Sequence, residues 1–159
     1  MLAWAARYTR GGAGTLTAAT SPGCAQAAAG PLPAGTAGKV IAYTEAQLGK
    51  PYIWGAAGPD AYDCSGLAMM AYRAAAITIP RTSQQQFAAE PHIPPGQVQP
   101  GDLVFFAGTD GTLTAPGHVG IVTSPGMMID APQAGETIRQ EPYTNSPGLA
   151  GFARPAPTA

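Results

Sequence analysis

Tyr62-Asp63-Cys64-Ser65-Gly66-Leu67 is the stretch around which this chain reads most clearly. Asp63 stands where a helix N-cap belongs, ahead of Leu67, Met70, Ala71 and Ala74 at helical spacing. The pattern predicts a helix from Asp63 to about Ala76, with Cys64 in its first turn. A thiol does nucleophilic work only as thiolate, which is the minor form of a free cysteine, with its pKa of about 8.5. The positive end of a helix macrodipole favours the anion. A buried structural cysteine would more often lie mid-helix on the apolar stripe. Position alone leaves a nucleophile and a plain helix-start cysteine equally open, and partners must decide.

Upstream, Lys39 to Leu48 (KVIAYTEAQL) puts Val40, Ile41, Thr44 and Leu48 on one stripe. A helix is expected there, stopped by Gly49 with Pro51 two residues on. Pro51 to Trp54 is short and aromatic, and Trp54 is expected in the core. Gly55 to Asp60 is rich in turn formers. Downstream, Thr82 to Ala89 reads as a second, shorter helix. Prolines and Gly96 force a loop from Pro91 to Pro100, with His92 exposed on it. Beyond Gly101 the pattern changes to short apolar runs separated by Pro and Gly: Asp102 to Phe106, Val119 to Thr123, Met127 to Asp130 and Thr137 to Arg139. Helices first and strands afterwards argue an α+β domain. Asp102, ahead of its strand, reads as a turn residue.

Two residues offer themselves as partners for the thiol. His118 opens the run Gly117-His118-Val119-Gly120-Ile121-Val122, at a strand end flanked by glycines, where an imidazole can face a cleft and accept a proton. A surface histidine at a loop-to-strand junction is the plainer alternative. Ser124-Pro125-Gly126 reads as the turn of an antiparallel pair, which sets Asp130 opposite His118 or one step diagonal, about 4.5–8 Å between positions. Asp130 lies in an apolar stretch (MMIDAP), where an acid is costly without a partner. It could orient the imidazole, or simply form the turn before Ala131-Pro132.

Composition bounds the rest. The 159 residues suit one domain with a tail, at 45% hydrophobic and only 11% charged. Lys and Arg number 8 against 9 Asp and Glu, for a formal charge of −1, so there is no electrostatic footprint for nucleic acid or anionic lipid. No apolar run is long enough to span a membrane. Met1 to Arg10 is too short, and too early in basic residues, for a secretory signal. Gly11 to Gly38 is almost all Ala, Gly, Thr, Pro and Ser, so residues 1–36 are expected to be an arm or linker. The folded domain is expected over residues 37–154, with 155–159, the end of RPAPTA, a loose tail. Two cysteines, Cys24 and Cys64, make no disulfide framework, and no ligand spacing implies a metal or cofactor. Cys24 (SPGCAQ) lacks the apolar run of a lipoprotein signal. A monomer is expected.

Five motifs in order, GKPYIWGAAGPDAYDCSGLAMMAY, IPRTS, QPGDLVFF, GHVGIV and MMIDAPQAGETIR, resemble the NlpC-type cell-wall endopeptidases, papain-like cysteine hydrolases, over roughly Lys39 to Arg139. The resemblance implies a reduced papain-like fold, the cysteine helix packed on a small antiparallel sheet. It also implies cleavage within peptidoglycan stem peptides, typically between D-glutamate and the diamino acid, by a secreted or wall-associated enzyme. On this basis Cys64 matches the nucleophile, His118 the base and Asp130 the third polar position. Asp63, Ser65, Arg81 and Ser83 match positions near the free amino end of the stem. Tyr52 matches the aromatic residue beside the sulfur, where it could help hold an oxyanion with the backbone N–H of Cys64. Asp63 as a cap, Ser65 as a first-turn residue and Arg81 as a surface charge remain plainer readings. Three departures stand out: Asp130 replaces the more usual His, Asn or Gln, Ala56-Ala57 follows Gly55 where relatives commonly carry glycine, and the arm before Thr36 matches none of the motifs. A binder that holds stems without cutting them, or a papain-like acyltransferase or transamidase, would share much of this pattern.

Overall fold

The computed structural model describes residues 32, 34–144 and 146–156, so Cys24 and the N-terminal arm up to residue 31 lie outside the described residues. Among the described residues three α-helices precede all six strands of an antiparallel sheet: α1 (Thr36–Glu45), α2 (Cys64–Arg73) and α3 (Ser83–Ala89), then β1 (His92–Ile93), β2 (Leu103–Phe106), β3 (His118–Ser124), β4 (Met127–Asp130), β5 (Arg139–Pro142) and β6 (Leu149–Ala153). The sheet order is β1-β6-β2-β3-β4-β5. The α+β expectation holds.

α1 starts three residues before Lys39, behind Gly35 in the left-handed region at φ 84°. Its buried residues are Thr36, Ala37, Val40 and Thr44, and Thr44 satisfies its hydroxyl on the Val40 carbonyl at 2.7 Å. Leu48 falls beyond the helix end and is exposed, contrary to the expected stripe. Leu32 is buried in the core, so packed structure begins before the expected boundary at residue 36. α2 is capped by Asp63, whose carboxylate accepts the Gly66 N–H at 2.6 Å. It buries its whole first turn and then Leu67, Ala68, Ala71 and Tyr72, and it ends at Arg73 rather than Ala76. α3 opens with a capping box between Thr82 and Gln85.

β2 is buried on both faces, which is why DLVFF reads as a continuous apolar run. Leu103 and Phe105 join Val119, Ile121 and Ile129 against Leu67, Ala68 and Ala71 of α2. Val104 and Phe106 join Val122, Met128 and Phe152 in a second cluster on the other side. Each such side chain contributes about 1.5–3 kcal/mol by leaving water. Two strands escape the sequence reading. His92 and Ile93 form a short edge strand inside the expected loop, although His92 is exposed as expected. β6 inserts between β1 and β2. The strand expected at Thr137 to Arg139 is shifted: Thr137 makes only an isolated bridge to Pro51, and β5 begins at Arg139.

The beginning of RPAPTA is not loose. Arg154 is buried and grips Asp102 through Nε–Oδ1 at 2.7 Å and Nη2–Oδ2 at 2.9 Å, and Pro155 is buried beside it. Asp102 makes its expected turn by accepting the Gln99 N–H at 2.7 Å, and is also the counter-ion of Arg154. Residues 157–159 lie outside the described residues.

Candidate active site

The N-terminus of α2 meets the start of β3. Cys64 is 8% exposed, and its Sγ lies 3.8 Å from the Gly117 carbonyl, adjacent to His118. Two features fix the sulfur. Asp63 locks the first helical turn, and the segment from Gly55 to Ala57 lies directly across it, with the Asp63 N–H donating to the Ala56 carbonyl at 2.9 Å. Only glycine fits at position 66 under this crossing: a Cβ there would stand 2.4 Å from the Ala56 oxygen.

His118 is the first residue of β3 and is half-buried. The register Ile121↔Ile129 and Val122↔Met128, continued one pair, sets Gly120 opposite Asp130 and His118 one diagonal step away. The side chains close that step, Nε2 to Oδ2, at 2.7 Å. Gly120 leaves the path between them open, since a Cβ there would stand 2.6 Å from the Met128 sulfur and 3.4 Å from the Asp130 Cβ. With Nε2 on the carboxylate, Nδ1 is the ring nitrogen left for the sulfur. Burial works against a charged imidazole here, but the hydrogen bonds to Asp130 and Cys64, and the negative charges of both, outweigh it and push the His118 pKa up to about 10. Asp130 is buried, and its other oxygen has no hydrogen-bond partner among the described residues. Nearby, burial and the Asp130 carboxylate hold the Glu141 carboxyl above its ordinary value.

A second cluster flanks the sulfur. Arg81 reaches Asp63 with both guanidinium nitrogens, Nη1–Oδ1 at 3.0 Å and Nη2–Oδ2 at 2.9 Å, and donates to Ser65 Oγ at 3.0 Å. The Asp63 hydrogen bond is the main influence that raises the Arg81 pKa. Asp63 and Arg81 thus face each other, where the sequence reading offered each to a substrate group. Ser83 is buried and donates its hydroxyl to the Pro116 carbonyl at 2.9 Å, tying α3 to the segment that leads into His118. The Tyr52 phenol is held above its usual range by burial first, then by the charges of Cys64, Asp63 and Asp110.

These residues border two hollows that meet at the sulfur. One, of about 320 Å³, is walled by Asp63, Ser65, Arg81 and Ser83. The other, of about 520 Å³, is walled by His118, Phe106, Pro132 and Gln133. Tyr52, Trp54, Cys64, Asp110 and Gly117 border both. Trp54 is 77% exposed, so the expectation that it packs in the core is wrong. It sits on a turn that leads into Gly55 at φ 82°, and it lifts its ring over the groove instead. Asp110 is not foreshadowed in the sequence, because an Asp-Gly pair in a turn carries no mark beyond the turn itself.

The parts assembled here, a sulfur at a helix N-terminus where two hollows meet, an imidazole on the larger hollow and a buried carboxylate behind it, suit nucleophilic attack on a carbonyl with proton return to a leaving amine. Among the described residues no cluster of three or more His, Cys, Asp or Glu is placed to hold a metal ion, and no helix is long and apolar enough to cross a membrane.

Comparison with known proteins bears on the same segment. The NlpC/P60 family profile matches residues 49–149, from the turn after α1 to the first residue of β6. A probable endopeptidase p60 from Listeria seeligeri is 42% identical over 96 residues, covering 60% of this chain and 18% of that protein. The bifunctional muramidase/DL-endopeptidase CwlT of Bacillus subtilis is 43% identical over 89 residues, covering 55% of this chain and 26% of that protein. Among solved structures, the peptidoglycan hydrolase RipB from Mycobacterium tuberculosis superposes with a TM-score of 0.65 at 28% identity, over 75% of this chain and 64% of that one. The chain therefore spans about a fifth to a quarter of the length of these two curated relatives. With the profile matched over well more than half of its residues, this chain belongs to the NlpC/P60 family.

Proposed function

We propose that the chain is a cysteine-dependent peptidoglycan hydrolase that cuts an amide bond in the stem peptide, between D-glutamate and the diamino acid. The observation that carries this reading is the row Cys64, His118, Asp130, with the sulfur where the two hollows meet, His118 on the larger one and Asp130 buried behind it. The relatives named as endopeptidases, and RipB as a peptidoglycan hydrolase, supply the substrate class. The enzyme acts outside the cell or on its wall, through a domain that includes the packed residues from Leu32 to Pro155.

In this mechanism the Cys64 thiolate attacks the scissile carbonyl, forming a C–S bond as the carbonyl electrons move to oxygen. The resulting oxyanion is met by the backbone N–H of Cys64 and the Tyr52 hydroxyl. His118, charged and held by Asp130, gives its proton to the nitrogen as the C–N bond breaks, and the diamino acid leaves as an amine. A water then enters, His118 takes its proton, and the hydroxide displaces sulfur from the thioester. The acid and the thiolate are released and the imidazolium is restored.

The test is release of new amino groups from purified peptidoglycan by wild type and by Cys64→Ala, with fold checked by circular dichroism. Release by wild type alone supports the reading. Binding of peptidoglycan without release would make the chain a stem-holding module. Products joined to an added amine, rather than hydrolysed, would make it a transamidase.

A further inference from the structure

Charge along the groove does not cancel. The Asp63 carboxylate is saturated: Oδ1 accepts from Gly66 N, Ser65 Oγ and Arg81, and Oδ2 from Gly55 N and Arg81. The sulfur and Asp130 are matched to His118. Asp110 is different. It is exposed, borders both hollows, and its carboxylate has no hydrogen-bond or ion-pair partner among the described residues. It is also held in place. A Cβ on Gly111 would stand 2.2 Å from Gly117 N and 2.6 Å from the Ala107 oxygen, and Gly117 N donates to that same oxygen at 2.8 Å. The neck of the loop is thus cinched, and Asp110 is fixed beside the start of β3.

Which substrate group meets it follows from the proton. The leaving amine must reach His118, and His118 borders only the larger hollow. The residue that carries that amine therefore occupies the larger hollow, where Asp110 is the sole bordering carboxylate among the described residues. Tyr52 and Trp54 border the same space, and aromatic faces attract a cation as a carboxylate does. We infer that Asp110 is a specificity-determining residue that receives a side-chain ammonium on the amine-side residue, so that the preferred leaving group is a diamino acid whose side chain is a net cation, as in lysine or an amidated diamino diacid. A free carboxylate on the same side chain would bring a second anion against Asp110 and is disfavoured. This assignment rests on the hydrolase reading and narrows it.

The experiment compares kcat/KM for L-Ala-γ-D-Glu-L-Lys and its norleucine counterpart, with wild type, Asp110→Asn and Asp110→Glu. Wild type should prefer lysine by about tenfold, which corresponds to ~1.4 kcal/mol for one charge-assisted contact. Asp110→Asn should bring the ratio close to one, and Asp110→Glu should restore part of it. A wild-type ratio near one, or a ratio unchanged in Asp110→Asn, overturns the assignment. Cleavage of neither peptide by wild type overturns the hydrolase reading instead, and the ammonium site is then read from calorimetric binding to Cys64→Ala and Cys64→Ala/Asp110→Asn. Tighter binding of the lysine peptide that disappears with Asp110→Asn upholds the site; equal binding, or none, overturns it.

Discussion

Burial disfavours a charged imidazole at His118, yet its hydrogen bonds to Asp130 and Cys64 and their negative charge outweigh that cost and raise its pKa far above the ordinary histidine range. The sign of the pH dependence follows. Activity carried by a thiolate–imidazolium pair needs the raised group protonated, so it is lost as pH climbs through that pKa of about 10. Removing Asp130 removes one raising influence. On the proposed mechanism, Asp130→Ala should therefore slow peptidoglycan cleavage by roughly 10²-fold, shift the alkaline limb of the pH–rate profile to lower pH, and leave the thermal transition cooperative. An unchanged rate and profile would remove Asp130 from the site. At this scale the meeting of His118 and Asp130 was readable, because a two-residue turn at Pro125-Gly126 ties strand position to side-chain position. Arg81 against Asp63 was not, since a pair 18 residues apart across separate elements leaves no local pattern. Trp54 misled for a simpler reason: aromatic size suggests burial, but the turn at Gly55 lifts the ring out of the domain.

Helix α2 is placed by what crosses it as much as by what it buries. Gly66 lies under the Ala56 carbonyl, so Gly66→Ala must push the crossing segment away and weaken the bond from the Asp63 N–H. A loss of about 1–3 kcal/mol in urea unfolding is expected, typical of one methyl forced into a packed site. Activity should fall further than stability explains, because Asp63, Arg81 and Tyr52 all move with that segment. A variant as stable and as active as wild type would mean that the crossing is free to give. The helices were legible through their apolar spacing and caps. β2, β3 and β4 were legible as short apolar runs between turn formers. β6 was not: Leu149 to Ala153 offers two large apolar residues broken by Gly151, too weak a period to declare a strand. Its pairing with β1 and β2 comes from the sheet, not from the segment itself.

Across the whole molecule, the last described turns of chain are tied to the sheet by one ion pair. Arg154 and Asp102 are each almost fully buried, and burial holds the Asp102 carboxyl above its usual value while the guanidinium pulls it back. Breaking such a pair strands a charge, so Asp102→Ala or Arg154→Ala should cost about 3–5 kcal/mol, read by urea denaturation. Replacing both with leucine should recover much of that loss, whereas an additive double variant would show that the two charges do not depend on each other. The α+β class was legible from the order of elements, but the closure of the sheet was not, because β6 comes last in sequence and lies between strands made earlier. That placement sets an order of events during synthesis. The ribosome releases the cysteine helix long before it releases β6, and until β6 arrives the flank of β2 stands open as a template for stray strands. A nascent chain of this protein is therefore most exposed to misassembly in the interval before Leu149 to Ala153 clears the ribosome, and a chain cut anywhere before Leu149 should yield aggregate rather than a weakened domain.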